Sequence, residues 1–166
     1  MKEIVLAGGC FWGVAEYYRR LKGVVDTETG YANGNQDTVS YEAVCTGKTG
    51  HAEVVKIKYD ETQISLNQIL DHLFRMIDPL SLNQQGNDKG TQYRTGIYYE
   101  NDDDLKIITD VVAKQQQNFS LPIQVEVTPL ENYCSAEDYH QDYLVKNPQG
   151  YCHINFGLIQ KDELKS

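Results

Sequence analysis

Glu3-Ile4-Val5-Leu6-Ala7-Gly8-Gly9-Cys10-Phe11-Trp12-Gly13 is the stretch on which the fold turns. The apolar run from Ile4 to Ala7 is too short for a core helix and stops at two glycines, so it reads as a buried strand. Beyond it Val14, Tyr17, Tyr18 and Leu21 recur at helical spacing and Gly23 suits a helix end, which predicts a helix from Phe11 to Leu21. Strand, glycine turn and helix form the opening unit, with a cysteine where the helix starts.

Val24 to Tyr31 reads as a second strand, followed by a polar loop from Ala32 to Gly50 that is punctuated by Gly and Asn. The run from Val54 to Tyr59 alternates apolar and polar residues, the pattern of a half-buried strand. Ser65 with Gln68 three positions on resembles a capping box, and Ile69, Leu70, Leu73, Phe74 and Ile77 make an apolar stripe behind it. No period is visible from Asp78 to Gly96, and a long loop in a compact domain is usually functional or mobile. Ile97 to Tyr99 is a short strand, and the acidic turn Asp102-Asp103-Asp104 opens a third helix. Ile123 to Val127 reads as a last strand, and Ala136 to Val145 as a short amphipathic piece. Asn147-Pro148-Gln149-Gly150 then leads into a tail whose end, from Lys161 to Ser166, is expected to be solvated. The order βαββαβ, extended by one helix and one strand, predicts an α+β fold: a ferredoxin-like core of one sheet with helices packed against it, long loops and an irregular C-terminal tail. All of it is expected to form a single domain over residues 1–166.

Composition narrows the function. With 40% hydrophobic and 23% charged residues among 166, the chain can bury a core. Lys and Arg number 15 against 24 Asp and Glu, a net charge of −9, so no basic face is available to track a phosphate backbone and no nucleic-acid partner is expected. No apolar run approaches the roughly 20 residues of a bilayer span. The N-terminal apolar stretch is short and follows Lys2-Glu3 instead of a positive segment, so no secretory signal is expected and the predicted location is cytoplasmic. Four cysteines, Cys10, Cys45, Cys134 and Cys152, are too sparse for a disulfide scaffold, and neither Cys-x-x-Cys nor a His-x₃₋₅-His element is present, so no metal site is expected. Reactive or buried thiols remain.

Cys10 stands where a dinucleotide-binding fingerprint would need a residue without a side chain, which argues against a nucleotide. At a helix N-terminus its thiolate would meet unpaired N–H groups and the positive end of the helix dipole, which favours a nucleophile. The alternative is a small core residue, since free cysteine is commonly buried. Phe11 and Trp12, the only Trp, either wall an apolar pocket or pack the helix on the sheet.

These residues belong to a wider pattern. Gly9-Cys10-Phe11-Trp12-Gly13, the stretch from Tyr41 to Glu53, the stretch from Gln85 to Arg94, Ala136-Glu137-Asp138-Tyr139-His140-Gln141 and Asn147-Pro148-Gln149-Gly150-Tyr151-Cys152 together resemble the A-type peptide methionine sulfoxide reductases. The resemblance runs through nearly the whole chain in the family's order.

The resemblance implies the roles. Cys10 matches the nucleophile that attacks the sulfoxide sulfur, Glu53 the acid that protonates the oxygen, and Tyr41 and Tyr93 the phenols that bind that oxygen. Phe11 and Trp12 match the wall around the S-methyl group, while Asp88 and His140 match residues that position the peptide. Cys152 matches the resolving cysteine, whose disulfide with Cys10 thioredoxin reduces; oxidised proteins or free methionine sulfoxide are the implied substrates, and the S epimer the implied hand. No cofactor is implied, and a monomer is expected. Cys134 stands where the family more often has other residues and is a rival resolving thiol, whereas Cys45 is expected to be a buried structural thiol. Asp78-Pro79-Leu80 also departs from the commoner pattern. Taken without the family, Glu53 reads more readily as an outward strand-edge carboxylate that pairs with Lys56 or Lys58. A peroxide-reducing thiol enzyme, or a non-catalytic redox or interaction module, would also use Cys10. Neither needs an acid, two phenols and a methyl pocket together.

Overall fold

The computed structural model describes residues 1–165. Strand β1 (Lys2–Gly8) lies at the centre of a six-stranded sheet, and every residue from Ile4 to Ala7 is buried because both of its faces are covered. Ile4 and Leu6 enter the main core; Val5 and Ala7 enter a smaller one on the opposite face, beneath Leu130 and Tyr133. The opening unit continues into helix α1 (Phe11–Arg19), then β2 (Val24–Ala32), helix α2 (Tyr41–Cys45), β3 (Ala52–Tyr59) and helix α3 (Leu66–Met76). The capping box expected at Ser65 and Gln68 is formed, with both reciprocal hydrogen bonds.

The rest comprises a small hairpin of β4 (Gln84–Gln85) and β5 (Asp88–Lys89), a 3₁₀ turn at Thr91–Tyr93, β6 (Thr95–Tyr99), helix α4 (Asp102–Gln116), β7 (Glu126–Pro129), β8 (Cys134–Ser135), a 3₁₀ turn at Asp138–His140 and helix α5 (Tyr143–Lys146). The sheet order is β7-β6-β1-β3-β2-β8. Its four central strands give the antiparallel order of a ferredoxin-like βαββαβ unit, as expected. Strand β7 pairs parallel to β6, which requires a crossover, supplied by α4. Helices α1, α3 and α4 contribute apolar residues to the main core, among them Val14, Tyr17, Leu70, Leu73 and Ile108.

Five expectations are corrected. The loop from Ala32 to Gly50 holds α2, started by Ser40 accepting from the Ala43 amide, and the aperiodic stretch from Asp78 to Gly96 holds the β4–β5 hairpin. The last predicted strand is shifted toward Glu126–Pro129, where it finds a partner edge in β6. The amphipathic piece from Ala136 to Val145 is broken by Asp142 at φ +51°, a left-handed residue no helix continues through. The C-terminal end keeps Lys161, Asp162 and Lys165 exposed but is docked instead of free: Glu163 makes a bidentate pair with Arg75, Leu164 bridges Leu21, and the Lys165 amide donates to the Arg20 carbonyl. Ser166 lies outside the described residues. Among the described residues, no helix is long and apolar enough to cross a membrane.

Strands β1 and β2 end where β6 and β3 begin, with Gly8 opposite Thr95 and Ala32 opposite Ala52. Cys10, Glu53, Tyr31 and Tyr93 all lie at or beside this end of the sheet.

Candidate active site

The turn into α1 places the thiol. Gly9 adopts φ +92°, and a Cβ there would lie 2.8 Å from Gln85 Cβ and 2.9 Å from His153 Nε2, so only glycine fits. Cys10 follows as the N-cap of α1, with 7% of its surface exposed. The expected stabilisation of its thiolate is present in part, since a backbone hydrogen bond from Trp12 acts in that direction. It is outweighed: burial, and next the Glu53 carboxylate, push the Cys10 thiol far above its ordinary range. The resting group is therefore a protonated thiol.

Glu53 sits on β3 opposite Tyr31, on the same face of the strand as Val55 and Ile57, and is 1% exposed. It does not pair with Lys56 or Lys58; Lys56 lies over the ring of Tyr133 instead. Glu53 Oε1 accepts the Phe11 amide at 3.2 Å, while Oε2 is buried with no partner. Burial, reinforced by Asp88, pushes its carboxyl up to about 8, against the opposing Phe11 hydrogen bond. Glu53 is therefore largely an acid at neutral pH.

Phe11 and Trp12 both take part in one aromatic assembly around His140. Ring centroids are 5.1 Å from His140 to Phe11, 4.6 Å to Tyr41 and 4.2 Å to Tyr139. The Trp12 indole N–H donates to His140 Nδ1 at 3.0 Å, so the neutral ring carries its proton on Nε2. Burial keeps that ring neutral, and Nε2 is a buried donor without a partner. Tyr143 stacks on Trp12 at 3.8 Å, a contact not anticipated from the sequence; its place three positions after His140 was the available signal.

Tyr41 and Tyr93 approach Glu53 from α2 and from the 3₁₀ turn at Thr91–Tyr93. Burial is the main cause that raises both phenols well above their ordinary range, and each also feels the Glu53 charge, so both stay hydrogen-bond donors. Glu137, another residue missed in the sequence, ties the two sides together: its carboxylate accepts from the Tyr31 hydroxyl at 2.8 Å and from the Tyr41 amide at 2.9 Å. Asp88 accepts from the Tyr151 hydroxyl at 3.1 Å and acts on Cys10 and Glu53. Asp78-Pro79-Leu80 reaches the site indirectly, because the Gln85 amide brackets the Asp78 peptide at 2.9 and 3.0 Å and Gln85 lies against Gly9.

The other thiols differ in placement. Cys152 Sγ packs against Gly13, where a Cβ would come within 2.7 Å of it. Cys134 is held in β8 opposite Tyr31, so Tyr31 stands between it and Glu53 in one row across the sheet. At the usual spacing of neighbouring strands, that row puts Cys134 about 10 Å from the Glu53 backbone. Cys45 is exposed, not buried, because it falls on the outer side of the five-residue α2.

A buried cysteine beside an acid that keeps its proton at neutral pH, under an aromatic wall, defines a thiol oxidoreductase that removes an oxygen needing protonation. Comparison with known proteins names the family. The family model described as peptide methionine sulfoxide reductase matches residues 2–166. The chain is 58% identical over 155 residues to a Clostridium botulinum peptide methionine sulfoxide reductase MsrA, a match covering 93% of this chain and 99% of that protein. The crystal structure of reduced Mxr1 from Saccharomyces cerevisiae superposes with a TM-score of 0.84 at 43% identity, covering 91% of this chain and 88% of that one. Mxr1 in complex with Trx2 matches at 28% identity with a TM-score of 0.60, covering 86% and 84%. The chain belongs to the peptide methionine sulfoxide reductase family, and it is an oxidoreductase of methionine S-sulfoxide.

Proposed function

We propose that this enzyme reduces methionine S-sulfoxide, free or in proteins, through Cys10, with Glu53 as the acid and Cys152 as the resolving thiol. The observation that carries this reading is Glu53 Oε2: a buried, unpartnered oxygen of a carboxyl that keeps its proton at neutral pH, beside a buried thiol. A sulfoxide oxygen seated there takes the Glu53 proton and further hydrogen bonds from Tyr41 and Tyr93. Protonation makes the sulfur electrophilic, Cys10 attacks it, and the emptied carboxylate takes the proton that Cys10 surrenders. The hydroxyl then passes to the Cys10 sulfur, so thiol and sulfoxide become a sulfenic acid and methionine.

Phe11 and Trp12 hold the S-methyl group. His140 Nε2–H is a fixed donor for the substrate's peptide, and Asp88 supplies an acceptor. Cys152 condenses with the sulfenic acid, releasing water and leaving a Cys10–Cys152 disulfide. Reduction of that disulfide by a thioredoxin is supported by the family resemblance and by the complex of yeast Mxr1 with Trx2. The reducing electrons come from thiols throughout, which suits a cytoplasmic setting where thiols are kept reduced. Peroxide reduction is the less fitting alternative, since it makes no use of the aromatic wall.

Mass spectrometry of protein treated with methionine sulfoxide in the absence of reductant tests the assignment. A Cys10–Cys152 linked peptide is expected; unmodified Cys10 after methionine has been released would overturn it.

A further inference from the structure

Residues 152–154 cross the start of α1 along a strip that carries no side chains. His153 Nε2 lies 3.0 Å from the Gly8 carbonyl oxygen. A carbonyl only accepts, so this nitrogen carries a proton and donates it. The same nitrogen would stand 2.9 Å from a Cβ at Gly9. Four positions on, a Cβ at Gly13 would come 2.7 Å from Cys152 Sγ and 2.8 Å from Ile154 Cγ1, closer than packed side chains allow. The Ile154 amide donates to Cys152 Sγ at 3.3 Å, and Ile154 itself is buried in the main core. The thiol is thus seated on the helical turn that begins at Cys10. Its segment is pinned to the last residue of β1, two positions before the nucleophile.

We propose that His153 and Gly13 are positioning residues for disulfide closure, His153 by its hydrogen bond to the Gly8 carbonyl and Gly13 by leaving room for the Cys152 sulfur. The proposal rests on the reading that Cys152 resolves the Cys10 sulfenic acid. In that step the Cys152 thiol and the Cys10 sulfenic acid give the Cys10–Cys152 disulfide and water, with no other reactant. Disulfide geometry is narrow, with Cβ atoms ~3.8 Å apart, so a small displacement of this segment removes the reacting arrangement. The ties farther along the tail, at Glu163 and Leu164, act about ten residues away and do not set the place of Cys152. Tyr151 adds a tie to Asp88, but from an exposed ring.

The test follows one turnover without reductant by rapid quench, measuring methionine released, free thiols lost and sulfenic acid trapped by a 1,3-dione. His153→Ala and Gly13→Ala are expected to release about one equivalent of methionine at the unaltered rate. They are expected to lose the second thiol at least about tenfold more slowly, with the dione adduct accumulating. His153→Gln, whose amide nitrogen can donate to the same carbonyl, is expected to restore fast closure. Closure at the unaltered rate in His153→Ala overturns the proposal; so does a release of methionine that falls together with closure, or a His153→Gln variant as slow as His153→Ala. If the unaltered protein joins Cys10 to a thiol other than Cys152, the underlying assignment fails instead, whatever the variants do.

Discussion

The Phe11 amide donates to Glu53 Oε1 at 3.2 Å, linking the residue that follows Cys10 to the buried carboxyl across 42 positions of sequence. The bond does two things. It holds the carboxyl at the opening of α1, and it uses one oxygen while the other, Oε2, stays buried and unpartnered.

Glu53→Gln keeps the acceptor for the Phe11 amide and removes the acidic proton. The expected outcome is an unchanged fold and substrate affinity with a chemical step slower by roughly 10²–10⁴-fold, the usual contribution of a positioned acid. Single-turnover release of methionine measures it. A loss under about tenfold would assign the proton to a tyrosine or a water.

The pH dependence follows from the same carboxyl. Glu53 is raised from 4.5 to about 8, chiefly by burial, so it is an acid below about 8 and loses its proton as pH rises through that value. The rate of the chemical step is expected to fall above pH 8 in the unaltered enzyme, and this limb should vanish in Glu53→Gln. Stability moves the same way: between 4.5 and about 8 the folded state holds a proton that the unfolded state has lost, so stability falls as pH climbs. Urea unfolding at several pH values should show a flatter profile for Glu53→Gln over that window.

The site should accept only one hand at sulfur. In the proposed mechanism Phe11 and Trp12 take the methyl group while Glu53, Tyr41 and Tyr93 take the oxygen, which leaves the third substituent one way out. A racemic mixture of methionine sulfoxides is expected to lose its S epimer and keep its R epimer, as read by chiral chromatography of the residue. Equal loss of both would contradict the pocket.

Cys152→Ser should separate the two half-reactions. About one equivalent of methionine per enzyme is still released, while turnover driven by thioredoxin collapses for want of a disulfide. Cys134 is the competitor, and its place in β8, behind Tyr31, argues against it. Turnover that survives Cys152→Ser and disappears only when Cys134 is also replaced would reverse that ranking.

Much of this was legible in local sequence. The strand at Ile4 to Ala7, the helix capped by Ser65 and Gln68 and the alternation through Tyr59 are set by period and by hydrogen bonds between near neighbours. The family's motifs picked out Cys10, Glu53, Tyr41 and Tyr93. Helix α2 and the β4–β5 hairpin were not legible, because segments of five and two residues carry too little periodicity to stand out. Glu137 and Tyr143 escaped notice for another reason: their roles consist of contacts with Tyr31, Tyr41 and Trp12, which lie 96 to 131 positions away in the chain.

The sequence by itself determined that a cysteine would open a helix after a buried strand, in an acidic α+β chain with no basic face. Those are consequences of side-chain spacing and composition, which need no knowledge of distant partners. Only the tertiary structure decided the ionisation of the site. The dipole at the start of α1 favours a thiolate, yet burial beside Glu53 keeps Cys10 protonated and raises Glu53 with it. The cost of charging a group depends on how much water the rest of the fold removes from it. The tertiary structure also decided that the C-terminal segment is docked, since Arg75, Leu21 and the Gly8 carbonyl can select their partners at Glu163, Leu164 and His153 only once the sheet and helices have brought them together.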